Sequence, residues 1–419
     1  MKEKANILMI THGLGLEGAP RSFVIVAKGL TASGFGRVTV FSHVDGPLRN
    51  ELEAAGIRVI VAPRPEVVED LPVSSTDLER YCRENMRFLD LSSGTAWKTS
   101  LESVAGYIRS HLGELPDVII TNTILGFWGV ALAQLWRVPS VWCIHESETP
   151  FSHLSWLPRE CFDMLPGLLR DTSRVVFAAE MTKKVFTQAG HTFAGTVIPY
   201  GLPADMPVFA AGQLDRRQAR SSLGIMDENI CFLALGSVFE RKGQLDICQS
   251  MALLPADLLS NVRCHIVGDR PGTPYSNVLH SYINSLPDQT RRTIRVFPET
   301  QDTAPHYRAA DVFVMCSRME SYPFVILEAM SQSLPIVTTP VYGIREQLDE
   351  QAALFYDPGD IQKLAAHLVR LAESSAERIN LGREAYRRFT ELPTHADMVS
   401  AYVKEIADLI DGHQKRKHE

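Results

Sequence analysis

Short, continuous apolar runs alternate with amphipathic stretches along nearly the whole chain. The runs at 7–10, 37–41, 58–61, 117–121, 140–144, 174–178 and 196–198 contain little polar alternation, which predicts strands covered on both faces. Between them, stretches such as 22–32, 100–111 and 182–189 are amphipathic and predict helices. Strand and helix in alternation imply a parallel sheet with right-handed crossovers. Residues 203–213 show no clear period and read as a linker. The pattern then restarts with apolar runs at 231–235, 263–267, 293–297, 312–316, 335–338 and 353–356. Three helical patterns close the chain at about 360–373, 376–390 and 395–411. The prediction is therefore an α/β protein of two doubly wound domains, residues 1–202 and 214–394. The polar, acidic residues 66–94 read as a loop or insertion, and residues 412–419 as a frayed end. Two such domains leave a cleft, and open α/β sheets bind ligands beyond the carboxyl ends of their strands.

Composition narrows the class. The chain has 419 residues, 45% of them apolar and 22% charged, as in globular proteins. Its 42 basic and 49 acidic residues give a net charge of −7, which argues against a nucleic-acid partner. The charge gives no global reason to adhere to an anionic membrane, although a local patch stays open. No apolar run approaches the roughly 18 residues of a membrane span, and the first residues lack the long apolar stretch of a secretory signal. Seven cysteines, an odd number without a C-x-x-C pair, sit mostly inside apolar runs and read as buried, reduced thiols of a cytosolic protein.

The candidate chemistry lies just after predicted strands. Gly13, Gly15 and Gly18 follow the first strand and formally match G-x-G-x-x-G, with Asp45 placed where a ribose-binding acid could sit. The same glycines fit a loop that lets a ligand approach, through positive φ or the lack of a side chain. In the second half, Gly236 follows strand 231–235 and lets the backbone approach a ligand. Arg241 and Lys242 then set two cations at that edge, and Gly243 opens the next helix. Adjacent cations beside a backbone turn suit a diphosphate. After strand 312–316, Pro323 reads as the first residue of a helix, so that the N–H groups of Phe324 and Val325 favour an anion. Glu320 lies before that start, and Glu328 about 8 Å deeper along the axis at roughly 1.5 Å per residue. One carboxylate can hold a ribose and the other a hexose, since carboxylates accept hydrogen bonds from vicinal hydroxyls. Glu328 lies in the otherwise apolar stretch 325–330, where a solvent-facing role is uncomfortable.

With these residues in view, the sequence resembles the retaining family-four glycosyltransferases of the GT-B fold, in which two Rossmann-like domains face each other across a cleft. The resemblance covers almost the whole chain. Its most specific matches are Glu320 and Glu328 as an E-x7-E pair and the segment Arg241, Lys242, Gly243. Residues 309–314, 198–201 and 268–269 support it. The resemblance implies that Glu320 contacts the transferred sugar, Glu328 the nucleotide ribose, and Arg241 and Lys242 the diphosphate. It places His145 beside the sugar and the loop of Gly15 and Gly18 at the diphosphate and acceptor. Gly236, Ser321, Tyr322, Phe324 and Val325 complete the donor-binding set. It also implies that the helix at 395–411 crosses back onto the first domain. The chain departs from the family at three points. Tyr200 stands where Asn is common, Tyr342-Gly343 where Gly-Gly is common, and Glu17-Gly18-Ala19-Pro20 replaces a Gly-Gly loop.

The expected reaction moves a hexosyl group from a nucleotide diphosphate sugar to a hydroxyl acceptor with retention. UDP is the default nucleotide and GDP the next. The acceptor is a glycan, a lipid-linked saccharide or a small molecule. No cofactor and no metal are expected. Asp269 could recruit an ion, but the two cations already supply that charge. The expected location is the cytoplasm, with peripheral contact at the inner face of the membrane left open. A sugar-nucleotide 2-epimerase and an inverting GT-B transferase are the nearer alternatives. An NAD(P)-dependent oxidoreductase and a non-catalytic nucleotide-sugar-binding protein are the remoter ones. Phe151 and Trp156 are candidates either to stack on a sugar or to pack in the core.

Overall fold

The computed structural model describes residues 4–62, 82–84, 86, 88–147, 150–206, 208 and 214–418. Most of the expected insertion at 66–94 and part of the expected linker at 203–213 lie outside the described residues. The chain forms two compact units, Met1–Tyr200 with His395–Glu419, and Gly201–Thr394.

The first unit carries strands β1 (Ala5–Thr11), β2 (Gly36–Ser42), β3 (Arg58–Val61), β4 (Val118–Asn122), β5 (Ser140–Ile144), β6 (Arg174–Phe177) and β7 (Gly195–Val197). They form one sheet in the order β3-β2-β1-β4-β5-β6-β7, with every pair parallel. Every residue of β4 and β5 is buried, which is why these strands read as unbroken apolar runs. Trp142 on β5 is fully buried, and its indole N–H is satisfied by the Thr123 carbonyl at 2.7 Å. The strand order reverses between β1 and β4, so the loops after those strands and β5 gather their polar residues at the position where such sheets bind ligands.

Phe151 belongs to the core rather than to a stacking platform. It is 2% exposed, and Phe162, Phe186 and His191 meet it edge-on. Trp156 donates its indole N–H to the His153 carbonyl and lies under the Arg83 guanidinium. The closing helix, His395–His418, is part of the first unit. It approaches helix Gly18–Ala32 at Gly29, where an added Cβ would fall 2.4 Å from a Val399 methyl. Glu405 pairs with Arg174 at 2.7 Å. The helix continues past the predicted end, so residues 412–418 are helical rather than frayed. Its last turns bring His413 near the Arg137 backbone.

The second unit has strands β8 (Ile230–Leu235), β9 (Val262–Asp269), β10 (Ile294–Pro298), β11 (Val312–Met315), β12 (Ile336–Thr338) and β13 (Ala353–Phe355) in the parallel order β10-β9-β8-β11-β12-β13. Its reversal falls between β8 and β11. Asp311, just before β11, ties the sheet to helix Arg216–Ser222. It pairs with Arg220 at 3.0 Å and Arg216 at 2.7 Å, and it accepts the Cys231 N–H at 2.8 Å. The Arg220 side chain is 3% exposed and also donates to the carbonyls of Ala309 and Met226. Asp311→Ala would leave that buried guanidinium without its counter-ion. It should lower unfolding stability by about 3–5 kcal/mol, read as a lower urea midpoint at unchanged slope.

All seven cysteines are buried, and none forms a disulfide. Among the described residues, no helix is long and apolar enough to cross a membrane.

Candidate active site

In the second unit, two loops meet at the strand reversal. The chain leaves β8 through Gly236, at φ +142°, and makes a short 3-10 turn over Glu240–Lys242. Gly243 ends that turn at φ +66°, where a Cβ would fall 2.3 Å from the Cys316 carbonyl oxygen. A side chain there would push the two loops apart, so the glycine fixes Arg241 and Lys242 against the segment after β11. The Arg318 N–H donates to the Arg241 carbonyl at 2.8 Å and locks that contact.

Glu320 is the centre of this junction. It is 7% exposed, and its Oε1 accepts from the Lys242 ammonium and from the Ser317 hydroxyl at 2.8 Å. Arg241 Nη1 lies 3.8 Å from the same oxygen. Burial pushes the Glu320 carboxyl up, but Lys242, Arg241 and the two hydrogen bonds outweigh it and hold the group below the usual carboxylate range. Burial also holds Lys242 down to about 8, with Arg241 adding to the effect and Glu320 opposing it. The site therefore keeps a compensated cation and anion, each with hydrogen-bonding capacity that a ligand can redirect.

The adjoining helix runs over Phe324–Ser331. Pro323 is its N-cap rather than its first helical residue, because its ψ of 128° is extended. Phe324 and Val325 are thus the first two helical positions, and N–H groups of a first turn point out along the axis toward an anion. Four residues further on, Glu328 is 7% exposed and its Oε2 accepts the Tyr307 hydroxyl at 2.6 Å. Ser321 and Tyr322 are also buried, with Tyr322 lying near Arg388 and Glu346. Tyr342 has φ +45°, a left-handed conformation that glycine adopts without strain, which accounts for the glycine common at this point in the family.

The first unit gathers a second polar cluster at the ends of β1, β4 and β5. Gly13, Gly15 and Gly18 form the loop after β1, but none has positive φ, and Gly18 begins helix Gly18–Ala32. The loop is stapled to the next one by the Leu14 N–H on the Val44 carbonyl and the Leu48 N–H on the Leu14 carbonyl. Asp45 is held by Arg49 at 2.9 Å. Thr123 has φ +62°, strained for a β-branched residue. Its backbone N–H donates to Cys143, its carbonyl accepts from Trp142, and its hydroxyl accepts the Leu125 N–H. Glu146 receives the N–H groups of Ile124 and His145 at 3.1 and 3.0 Å, and burial raises its carboxyl despite them. His145 contacts Asn122 Oδ1 through Nε2 at 2.7 Å and Tyr200 Oη through Nδ1. Burial, with His12 nearby, lowers the His145 imidazole to about 3, so it is neutral.

The structure thus brings Arg241, Lys242, Glu320, Phe324, Val325 and Glu328 into two adjoining loops and one helix, with Gly236 at the end of the neighbouring strand. Gly15, Gly18 and His145 lie in the first unit. Sequence reasoning missed Ser317, Tyr307 and Asn122. Ser317 could have been flagged by its position three residues before Glu320, and Tyr307 by its place just ahead of the 309–314 motif. Among the described residues no group of three His, Cys, Asp or Glu side chains could hold a metal ion. Asp269 is occupied by Ser276 at 2.7 Å and His280 at 2.8 Å.

Comparison with known proteins matches both units to transferases. Residues 17–201 match the glycosyl transferase 4-like domain, and residues 215–388 match glycosyl transferases group 1. The chain is 24% identical over 282 residues to the sulfoquinovosyl transferase of Arabidopsis thaliana, a match covering 64% of this chain and 52% of that protein. It is 24% identical over 332 residues to the α-monoglucosyldiacylglycerol synthase of Acholeplasma laidlawii, covering 75% and 80%. Among solved structures, Anabaena HepE in complex with UDP and glucose superposes with a TM-score of 0.76 at 19% identity, covering 96% of this chain and 99% of that one.

Proposed function

The chain belongs to the family-four-like glycosyltransferases of the GT-B fold, and from that premise we propose that it moves a hexosyl group from a nucleotide diphosphate sugar to a hydroxyl acceptor with retention of configuration. The observation that carries this reading is the junction of Lys242, Arg241 and Glu320 beside the start of helix Phe324–Ser331. A diphosphate entering there exchanges partners with the resident pair. Lys242 and Arg241 turn to phosphate oxygens, and Glu320 is released to accept sugar hydroxyls. Glu328, with Oε2 held by Tyr307, presents its carboxylate to the ribose.

In the reaction the bond from the anomeric carbon to the phosphate oxygen breaks, and its electron pair stays on the diphosphate. The acceptor oxygen bonds to the same face of that carbon, and its proton passes to the departing phosphate. The growing negative charge is met by Lys242, Arg241 and the helix start, so the charge stabilisation requires no metal. UDP is the preferred nucleotide and GDP the next. The acceptor is a glycan or lipid-linked saccharide, in line with the glucosyl lipid named in the Acholeplasma relative. The place of action is the cytoplasm, with peripheral contact at the inner membrane face left open.

A thermal-shift screen of nucleotides and nucleotide sugars tests the donor. The matching ligand at 100 times its dissociation constant should stabilise the protein by about 2.7 kcal/mol. Stabilisation by NADH and by no nucleoside diphosphate would overturn the reading. Anomer analysis of the product separates retention from inversion, and a 2-epimerised nucleotide sugar would point to the epimerase alternative.

A further inference from the structure

Four polar groups of the first unit form a chain whose proton positions are fixed from one end. The Ala19 carbonyl can only accept, and Asn122 Nδ2 lies 3.0 Å from it. Thr11 Oγ1 donates to the Gly13 carbonyl at 3.2 Å and so can receive the same Asn122 amide at 3.4 Å. The Asn122 amide orientation is thereby set, and its Oδ1 faces His145 Nε2 at 2.7 Å. An amide oxygen has no proton to give, so His145 must carry its proton on Nε2. Nδ1 then holds a lone pair, and the partner it meets is the Tyr200 hydroxyl, which must donate.

We propose that Tyr200 is a positioning residue that, with Asn122, holds His145 as the neutral Nε2–H tautomer. Both ring nitrogens are spent within the unit, so the imidazole is not a proton acceptor in this arrangement. Neutrality has a purpose in glycosyl transfer. The anomeric carbon gains positive charge as the donor bond breaks, and an imidazolium beside it would oppose that charge. The charged or titratable groups around the ring are consistent with this role. His12 at the end of β1 lies close and is itself lowered to about 4 by burial, and Glu17 faces His12. Glu146 follows His145 and spends its Oε2 on backbone N–H groups. The site of action rests on the transferase reading above, whereas the tautomer does not.

The test is long-range nitrogen–proton NMR of the full chain labelled with 15N-histidine, with the His145 signals assigned by their loss in His145→Gln. At pH 7 the wild type should show a neutral ring protonated on Nε2. Tyr200→Phe keeps the ring in place but removes the donor. Asn122 still accepts from Nε2–H, so the ring keeps that tautomer, but its Nδ1 signal should move downfield on losing the hydrogen bond while the other histidine signals stay put, and kcat should fall about tenfold with donor KM within about twofold. Tyr200→Asn, which is too short to reach Nδ1, should behave the same way. An Nδ1–H tautomer or an imidazolium in the wild type would overturn the proposal, as would a Tyr200→Phe protein with wild-type spectrum and turnover. If the spectra come out as expected but no nucleotide sugar is turned over, the transferase reading fails and the tautomer assignment stands.

Discussion

Lys242→Ala is expected to lower kcat/KM for the donor by about two orders of magnitude while the protein stays folded. Removing one preorganised donor to a developing charge costs about 3 kcal/mol when water is excluded. The fold should survive because Glu320 keeps Ser317 and Arg241 as partners. A second signature separates an electrostatic role from a packing role. Burial holds Lys242 down to about 8 in the free protein, and a bound diphosphate must raise it again. Below pH 8 the cation is already present and donor binding takes up no proton. Above it, each donor bound must bring a proton to Lys242, so donor KM should climb by up to about tenfold per pH unit. Lys242→Ala should lose that alkaline limb, and Lys242→Arg should keep the cation and move the limb beyond reach. A wild-type KM that stays flat to pH 10 would remove Lys242 from the diphosphate.

Much of this was legible before the structure. Parallel strands buried on both faces leave continuous apolar runs, so β5 shows in the sequence at the bounds it has in the fold, Ser140–Ile144. The Glu320–Glu328 spacing and the Arg241-Lys242-Gly243 segment are local, and local spacing survives in sequence. What was hidden depends on contacts between distant segments. Tyr307 reaches Glu328 across 21 residues, and Tyr200 reaches His145 across 55. Neither partner has a fixed offset that a motif could encode. Pro323 was misplaced by one position because its fixed φ suits both an N-cap and a first helical residue, and only ψ decides between them. The aromatic character of Phe151 was equally compatible with a sugar face and with a core. Its burial against Phe162 and Phe186 follows from helices that the sequence does not align.

Glu328→Ala should reduce kcat/KM by about 10- to 100-fold, because hydrogen bonds to an ionised carboxylate are worth roughly 1.5–3 kcal/mol. Most of the loss should fall in KM. A ribose keeps the same contacts in ground and transition states, so losing them weakens both alike. The alanine variant also strands the Tyr307 hydroxyl, which is 1% exposed, and should lose about 1–3 kcal/mol of stability. Glu328→Gln separates the two effects. Its carbonyl still accepts from Tyr307, so stability should return toward wild type, while the missing charge keeps donor KM high. Tyr307→Phe is the complementary change. It leaves the carboxylate charged but releases Oε2, and donor KM should rise about fivefold with kcat unchanged, the equivalent of one neutral hydrogen bond near 1 kcal/mol. A fall in kcat at constant KM in these variants would place Glu328 at the reacting centre instead of at the nucleotide.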